Sequence, residues 1–263
     1  MIFGGEFVAG IDLVDVCLWL FTIFFLGLVA YLQREGMREG YHSEQEKTGR
    51  QGSTTPFFPP APRTFKLPHG REDIVMTYGP PDRRELALKP TANFIGAPYV
   101  PTGDNPMLDG VGPGAYAMRQ DIADLTLEGA PRIAPFRDSP GFEVRPGDTD
   151  PRGLPVLGLD GEEGGKVVDL WVDRSEAIIR YFEVEVPIEG AAAKRVLLPV
   201  PFAVVHGGRN PRVTVHAIKG EQFAMAPTTK DELSVTRLEE DKITGFYGAG
   251  TLYATPERQE PLL

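Results

Sequence analysis

Cysteine is almost absent from this chain of 263 residues, and the single one, Cys17, lies inside an apolar run. A disulfide needs two cysteines, and a cysteine zinc site needs several, so the sequence excludes both within one chain. Such sparing use of cysteine is typical of a domain that stays in a reducing compartment.

Positive charge is missing from the first 33 residues, which contain Glu6, Asp12 and Asp15 but neither lysine nor arginine. The whole chain has a net charge of −10, and beyond residue 33 there are 34 acidic against 27 basic residues. Nucleic-acid-binding proteins usually carry basic patches. We therefore predict no nucleic-acid partner.

Motifs of known active sites are also missing. Residues 148–153 begin like a calcium loop, but Arg152 and Leu159 stand where oxygen ligands are needed. There is no Gly-x-Ser-x-Gly nucleophile motif. The histidines are too far apart for a HExxH zinc pair: they are His42, His69, His206 and His216. We predict no metal site and no enzymatic activity, with an anchored enzyme of unrecognised site as a weaker hypothesis.

One long apolar run, VCLWLFTIFFLGLVAYL at 16–32, is interrupted only by Thr22 and Gly27. At about 1.5 Å per residue it spans about 25 Å, close to the hydrocarbon thickness of a bilayer. A cleaved signal peptide would instead have a basic start and a small-residue cleavage site. We predict a retained transmembrane helix over 12–34.

Basic residues follow this run, beginning with Arg34 and Arg38. The positive-inside rule then places the N-terminus outside and the large C-terminal part in the cytoplasm. Arginines at such a junction can pair with anionic lipid head groups. Arg34 and Arg38 are therefore candidate lipid-binding residues, although generic positive-inside flanks would look the same.

Proline marks the next segment, since 12 of the 25 prolines lie within 51–113. Proline removes backbone donors and restricts its predecessor to extended conformations, so long regular elements are not expected there. We divide the chain into an N-terminal segment 1–11, the helix 12–34, an extended segment 35–113 and a cytoplasmic domain 114–263.

The cytoplasmic domain has the pattern of short antiparallel strands typical of a small barrel or sandwich. The predicted strands are 166–173, 178–186, 195–200 and 212–218. Within the second, Phe182, Val184 and Val186 are expected on one face, and Tyr181, Glu183 and Glu185 on the other.

One helix is predicted at about 236–249. Thr236 and Glu239 have the spacing of a capping box at its start. Gly248 or Gly250 is expected to end it. The apolar stripe of this helix would consist of Leu238, Ile243 and Phe246.

Several segments, in order along nearly the whole chain, resemble the H subunit of the photosynthetic reaction centre of purple bacteria. They are REGMREGY at 34–41, FKLPHG at 65–70, PTGDNPM at 101–107, DGVGP at 109–113, GGKVVDLWVD at 164–173, RYFEVE at 180–185 and LEEDKI at 238–243. The family has proline where this chain has His42, and Asn105 is an insertion. By this resemblance Tyr41 has a packing or lipid-binding role.

The resemblance implies a single N-terminal transmembrane α-helix plus a mainly-β cytoplasmic domain, a PRC-type β-barrel with a C-terminal helix. It implies the bacterial inner (intracytoplasmic) membrane as location and the reaction-centre L and M subunits as partners, besides membrane lipids. Those subunits hold the bacteriochlorophylls, bacteriopheophytins, quinones and non-haem iron, and the H subunit ligates none of them. The sequence leaves open whether a cytochrome subunit or a light-harvesting antenna ring joins the complex.

In this family the H subunit caps the cytoplasmic face of L and M, shields the quinone sites and helps conduct protons to the secondary quinone. Carboxylates relay protons when their surroundings bring their pKa towards ambient pH. By the resemblance, Glu176 is a relay acid or electrostatic tuner, Arg180 is its charge partner, and Asp173 is a weaker candidate. A solvated salt bridge between strands is the ordinary alternative.

One departure from the family concerns the point of proton uptake, where well-known members carry an aspartate and two histidines. The aligned residues 126–130 read TLEGA and contain none of them. Glu128, Asp124 and Asp121 are weaker candidates for surface acids that could replace them. A membrane-tethered PRC-barrel adaptor that binds another protein is the alternative function.

Overall fold

The computed structural model describes residues 6–8, 11–38, 60–61, 63–71, 74–76, 84–94 and 96–259. The chain forms two compact units, Met1–Arg83 and Arg84–Leu263, and each is described by itself.

The first unit is built on a long apolar helix, α1 (Leu13–Gly36). Two short antiparallel strands, β1 (Glu6–Val8) and β2 (Ile11–Asp12), precede it. Asp12 caps the helix, because its carboxylate accepts the backbone N–H of Asp15 at 2.8 Å. None of the helix side chains is buried, and the helix is long and apolar enough to cross a membrane. A helix that is apolar all round is suited to lipid.

The C-terminal end of α1 is tied to a following strand through Glu35. Its carboxylate pairs with Arg38 at 2.7 Å and with Arg63 at 3.2 Å. Arg63 begins β3 (Arg63–Phe65), which pairs antiparallel with β4 (Ile74–Met76). Tyr41 lies outside the described residues.

The second unit begins with a small hairpin of β5 (Leu88–Pro90) and β6 (Tyr99–Pro101), followed by a 3₁₀ turn at Gly112–Gly114. A seven-stranded sheet then forms its centre. Its strands are β7 (Ile133–Pro135), β8 (Pro155–Leu157), β9 (Glu163–Asp173), β10 (Ile178–Val186), β11 (Lys194–Pro199), β12 (Ala203–His206) and β13 (Arg212–Val215).

The strand order is β11-β10-β9-β8-β13-β12, and β7 also pairs with β9. The pairing of β8 with β13 is parallel and the other pairs are antiparallel. A C-terminal helix, α2 (Arg237–Tyr253), packs against this sheet through its buried side chains. The predicted fold class, an N-terminal apolar helix followed by a mainly-β domain and a C-terminal helix, is confirmed.

Strand β10 has the predicted bounds, and Phe182, Val184 and Val186 are buried as expected. Tyr181 and Glu183, on the opposite face of the strand, are buried as well. Tyr181 reaches α2, and the carboxylate of Glu183 is covered by arginine side chains. The sheet is therefore covered on both faces at its centre.

Helix α2 has the predicted capping box, in which Glu239 N–H donates to Thr236 Oγ1 at 3.2 Å. Its predicted stripe is buried, but the prediction that Gly248 or Gly250 ends the helix was wrong. A Cβ on Gly248 would lie 2.7 Å from the carbonyl oxygen of Pro113, and one on Gly250 would lie 2.7 Å from that of Ala217. These glycines allow close packing, and the helix continues to Tyr253.

Candidate functional site

The predicted site residues Asp173 and Glu176 belong to one tight turn between β9 and β10. Strand β9 ends at Asp173 and β10 begins at Ile178. The backbone N–H of Ala177 donates to the carbonyl of Asp173 at 2.8 Å, and Ala177 has a left-handed φ of 55°. This hydrogen bond closes the turn and fixes the backbone that carries Glu176.

Asp173 is the buried acid of the turn, with only 2% of its side chain exposed. Its Oδ2 accepts from Arg132 Nε at 2.9 Å, and its Oδ1 accepts the backbone N–H groups of Ser175 and Glu176 at 3.0 and 3.1 Å. Burial alone would raise the pKa of Asp173, but these hydrogen bonds outweigh burial and lower the pKa below its ordinary value. Asp173 is therefore a fixed negative charge at neutral pH.

Glu176 is the accessible acid, with 51% of its side chain exposed. Its carboxylate pairs with the same guanidinium that holds Asp173, that of Arg132. The prediction that Arg180 is its charge partner was wrong. Arg180 lies inside β10, beyond the turn, and lines a cavity beside α2, whereas the turn directs Glu176 towards Arg132.

A second arginine, Arg174, anchors the turn to the residues on both sides of β7. Its Nε donates to Ser139 Oγ at 3.1 Å, and its Nη2 pairs with Asp138 at 2.9 Å. Its backbone N–H donates to the carbonyl of Arg132 at 2.8 Å. The turn is thus held by side-chain and backbone contacts at once.

The three weaker candidates lie on the segment before β7. Asp121 pairs with Lys230 and accepts from Thr236 Oγ1 at 2.8 Å, and these two hydrogen bonds lower the pKa of Asp121. Asp124 accepts from Arg237 Nε at 2.7 Å. Both acids are therefore engaged at the start of α2. Glu128 is exposed and forms no ion pair with any residue that the structure describes.

A buried ionic cluster that sequence reasoning missed lies further along the same strands. Only 4% of the Glu183 side chain is exposed, and it pairs with Arg137 and, at 3.2 Å, with Arg195. The indole Nε1 of Trp171 donates to Glu183 at 3.0 Å. Arg137 also pairs with Asp169 at 3.0 Å. Two acids facing each other across a predicted strand pair are the signal that could have revealed this cluster.

A third cluster joins β10 to α2 around a cavity of about 390 Å³. The Tyr181 hydroxyl donates to Glu240 at 3.1 Å, and Arg119 pairs with Asp241 at 3.1 Å. Burial raises the pKa of Glu240 above its ordinary value, and burial together with the charge of Glu240 raises the pKa of Tyr181. Arg180 borders this cavity.

Within the described ranges, no group of three or more His, Cys, Asp or Glu side chains could hold a metal ion. What the turn brings together instead is an exposed acid, a buried acid and the guanidinium that bridges them.

The sheet defines the class of the domain. Residues 147–222, which contain β8 to β13, match the PRC-barrel domain. The turn with Asp173 and Glu176 falls within this match.

The rest of the chain defines the family more narrowly. Residues 5–138, about half of the chain, match the N-terminal region of the photosynthetic reaction centre H-chain. This chain belongs to the photosynthetic reaction centre H-chain family, whose members are generally non-catalytic structural subunits that associate with other reaction-centre subunits. With α1 as a candidate membrane helix, it is a membrane-anchored subunit.

Proposed function

We propose that this chain caps the cytoplasmic face of the reaction-centre L and M subunits in the bacterial inner membrane. The N-terminus lies in the periplasm and the domain after α1 lies in the cytoplasm. The charge asymmetry around α1 supports this orientation, because basic residues begin only at its end. Arg34, which is exposed in the last turn of α1, is the stronger candidate for a lipid head group, since Arg38 is engaged by Glu35.

The chain stabilises the quinone sites and aids proton delivery to the secondary quinone, while L and M hold all the pigments, the quinones and the iron. Reduction of a quinone to a quinol takes up two protons, which must reach a buried pocket. The observation that carries this proposal is the turn in which the exposed Glu176 lies next to the buried Asp173. Glu176 is the relay acid, because its carboxylate is half exposed, whereas Asp173 is too firmly ionised for that role and acts through its charge.

The assembly is tested by purifying the complex gently in detergent through a tag on this chain and recording its near-infrared absorption. Bacteriochlorophyll and bacteriopheophytin bands that bleach reversibly in light are the expected result. A colourless preparation that retains other proteins would favour a PRC-barrel adaptor. The match to the H-chain region argues against an adaptor, because it covers the anchor and the proline-rich segment as well.

The proton-delivery role is tested with Glu176→Gln in the purified complex. We expect slower proton-coupled transfer of the second electron to the quinone, with unchanged transfer of the first. Glu189→Gln is the matched control, since Glu189 is an exposed acid in the loop at the other end of β10. Unchanged transfer kinetics and proton uptake in Glu176→Gln would remove Glu176 from the pathway.

A further inference from the structure

Arg132 connects the two acids of the β9–β10 turn through a single guanidinium. Its Nε lies 2.9 Å and 3.1 Å from the two carboxylate oxygens of Asp173, and its Nη2 lies 2.9 Å from Oδ2. The same Nη2 pairs with Glu176 Oε1. The planar, rigid fork of arginine suits such a bridge, because several N–H groups point outward in fixed directions.

The backbone of Arg132 is fixed as firmly as its side chain. Its N–H donates to the carbonyl of Asp124 at 2.8 Å, and its carbonyl accepts from Arg174 at 2.8 Å. The next residue, Ile133, pairs with Asp173 in the sheet. The guanidinium therefore reaches Glu176 from a support that has little freedom to move.

No other cation contacts Glu176 among residues 96–259. Arg174 turns towards Ser139 and Asp138, and Arg180 lines the cavity beside α2. Asp173 is the acid that faces the same guanidinium, and its charge is already satisfied by hydrogen bonds. The direction of the Glu176 carboxylate therefore depends on Arg132.

We infer that Arg132 is a positioning residue for Glu176, whose ion pair with the carboxylate fixes the direction in which Glu176 points. This inference rests on the proposed role of Glu176 in proton delivery. Arg132 lies in the H-chain match and Glu176 in the PRC-barrel match, so neither matched region contains the complete arrangement.

Two variants of Arg132 in the full complex separate its charge from its geometry. Arg132→Gln removes the guanidinium that holds the Glu176 carboxylate, so the rate of second-electron transfer should fall severalfold. Arg132→Lys keeps a positive charge but loses the planar fork, so the rate should also fall, though less than in Arg132→Gln.

Arg152→Gln is the matched control, because Arg152 forms an exposed pair with Asp150 elsewhere on the domain. Arg152→Gln should leave the rate of second-electron transfer unchanged. The double variant Arg132→Gln/Glu176→Gln should behave like Glu176→Gln alone, since Arg132 acts through Glu176.

The outcomes distinguish this inference from the function on which it rests. If Glu176→Gln slows second-electron transfer while both Arg132 variants keep the wild-type rate of that transfer, Arg132 has no positioning role and the proposed function stands. If Arg132→Gln slows the transfer equally in the presence and absence of Glu176, its effect is structural and the inference fails.

If Glu176→Gln itself has no effect, the proposed function is wrong, and the inference that rests on it is wrong as well. If Arg132→Gln does not assemble, a wild-type maximal rate in Arg132→Lys overturns the inference.

Discussion

Glu183 and Asp169 lie directly opposite each other on β10 and β9, and one guanidinium, that of Arg137, pairs with both carboxylates. Two like charges at opposed positions of a strand pair destabilise a sheet. Arg137 converts this repulsion into an ion-paired cluster beneath the domain surface. The arginine is therefore more important to the fold than its partly exposed position suggests.

Arg137→Ala should strongly destabilise the domain, because it leaves two buried carboxylates facing each other. Loss of one partner from a buried ion pair typically costs about 3 kcal/mol or more, which corresponds to a fall in Tm of about 6 °C or more for a domain of this size. Thermal unfolding of the purified complex measures this. Arg152→Ala, which breaks an exposed pair, should change Tm by no more than about 2 °C, and an equal loss in both variants would contradict the assignment.

Glu240→Gln should stabilise the protein at neutral pH. The folded state raises the pKa of Glu240, so the carboxyl favours folding below its ordinary pKa of 4.5 and loses that contribution as pH rises through its folded value. Glutamine stays neutral and keeps an acceptor for Tyr181. The Tm of the variant should exceed that of the wild type at pH 7, and the two should converge near pH 4.

A constant difference in Tm from pH 4 to pH 7 would show that Glu240→Gln acts through packing instead. Glu185→Gln serves as the control for this comparison, because Glu185 is a more exposed acid on β10.

Tyr247→Phe should also stabilise the domain. The Tyr247 hydroxyl is buried and has no hydrogen-bond partner in the described part of the chain, while its ring packs against Phe202, Phe223 and Phe246. Removing an unpaired buried hydroxyl and keeping the ring should gain about 1 kcal/mol. The measurement is again the Tm of the complex.

Tyr181→Phe is the opposite control, since its hydroxyl donates to the largely buried Glu240 at 3.1 Å. That variant should lose stability. If both tyrosine variants shifted Tm in the same direction, the contrast between a paired and an unpaired hydroxyl would be refuted.

Gly248→Ala should destabilise α2, although alanine favours an isolated helix by about 1 kcal/mol over glycine. The added methyl group would lie 2.7 Å from the carbonyl oxygen of Pro113, which belongs to the 3₁₀ turn packed on the helix. Overpacking of this kind costs about 1–3 kcal/mol. Thr251→Ala, at an exposed position of the same helix, should stay within about 0.5 kcal/mol of wild type. A gain in Gly248→Ala would show that the turn moves away without penalty.

Local patterns predicted local structure well. The alternation in 178–186 gave both ends of β10, and the capping box gave the start of α2 within one residue. Alternation divides a strand into two faces, but it does not reveal that both are covered. For this reason the sequence pattern did not show that Tyr181 and Glu183 are buried.

The remaining errors arose from contacts between distant segments. Glycine is favoured both at the end of a helix and where another backbone comes close, so the sequence could not show that Gly248 serves the second purpose. Arg180 was chosen as the partner of Glu176 because it is near in sequence. The actual partner, Arg132, reaches Glu176 because β7 pairs with the end of β9, and such pairing depends on the whole sheet.

The parallel pairing of β8 with β13 has a consequence for the order of folding. The hairpins formed by β9, β10 and β11 close over short loops, but Val156 pairs with Val213 across everything between them. Closing a longer loop costs more chain entropy, so local hairpins form first. The hairpin of β8 and β9 also closes over a short loop, so on the ribosome it is only the other edge of β8 that stays unpaired until β13 has been synthesised.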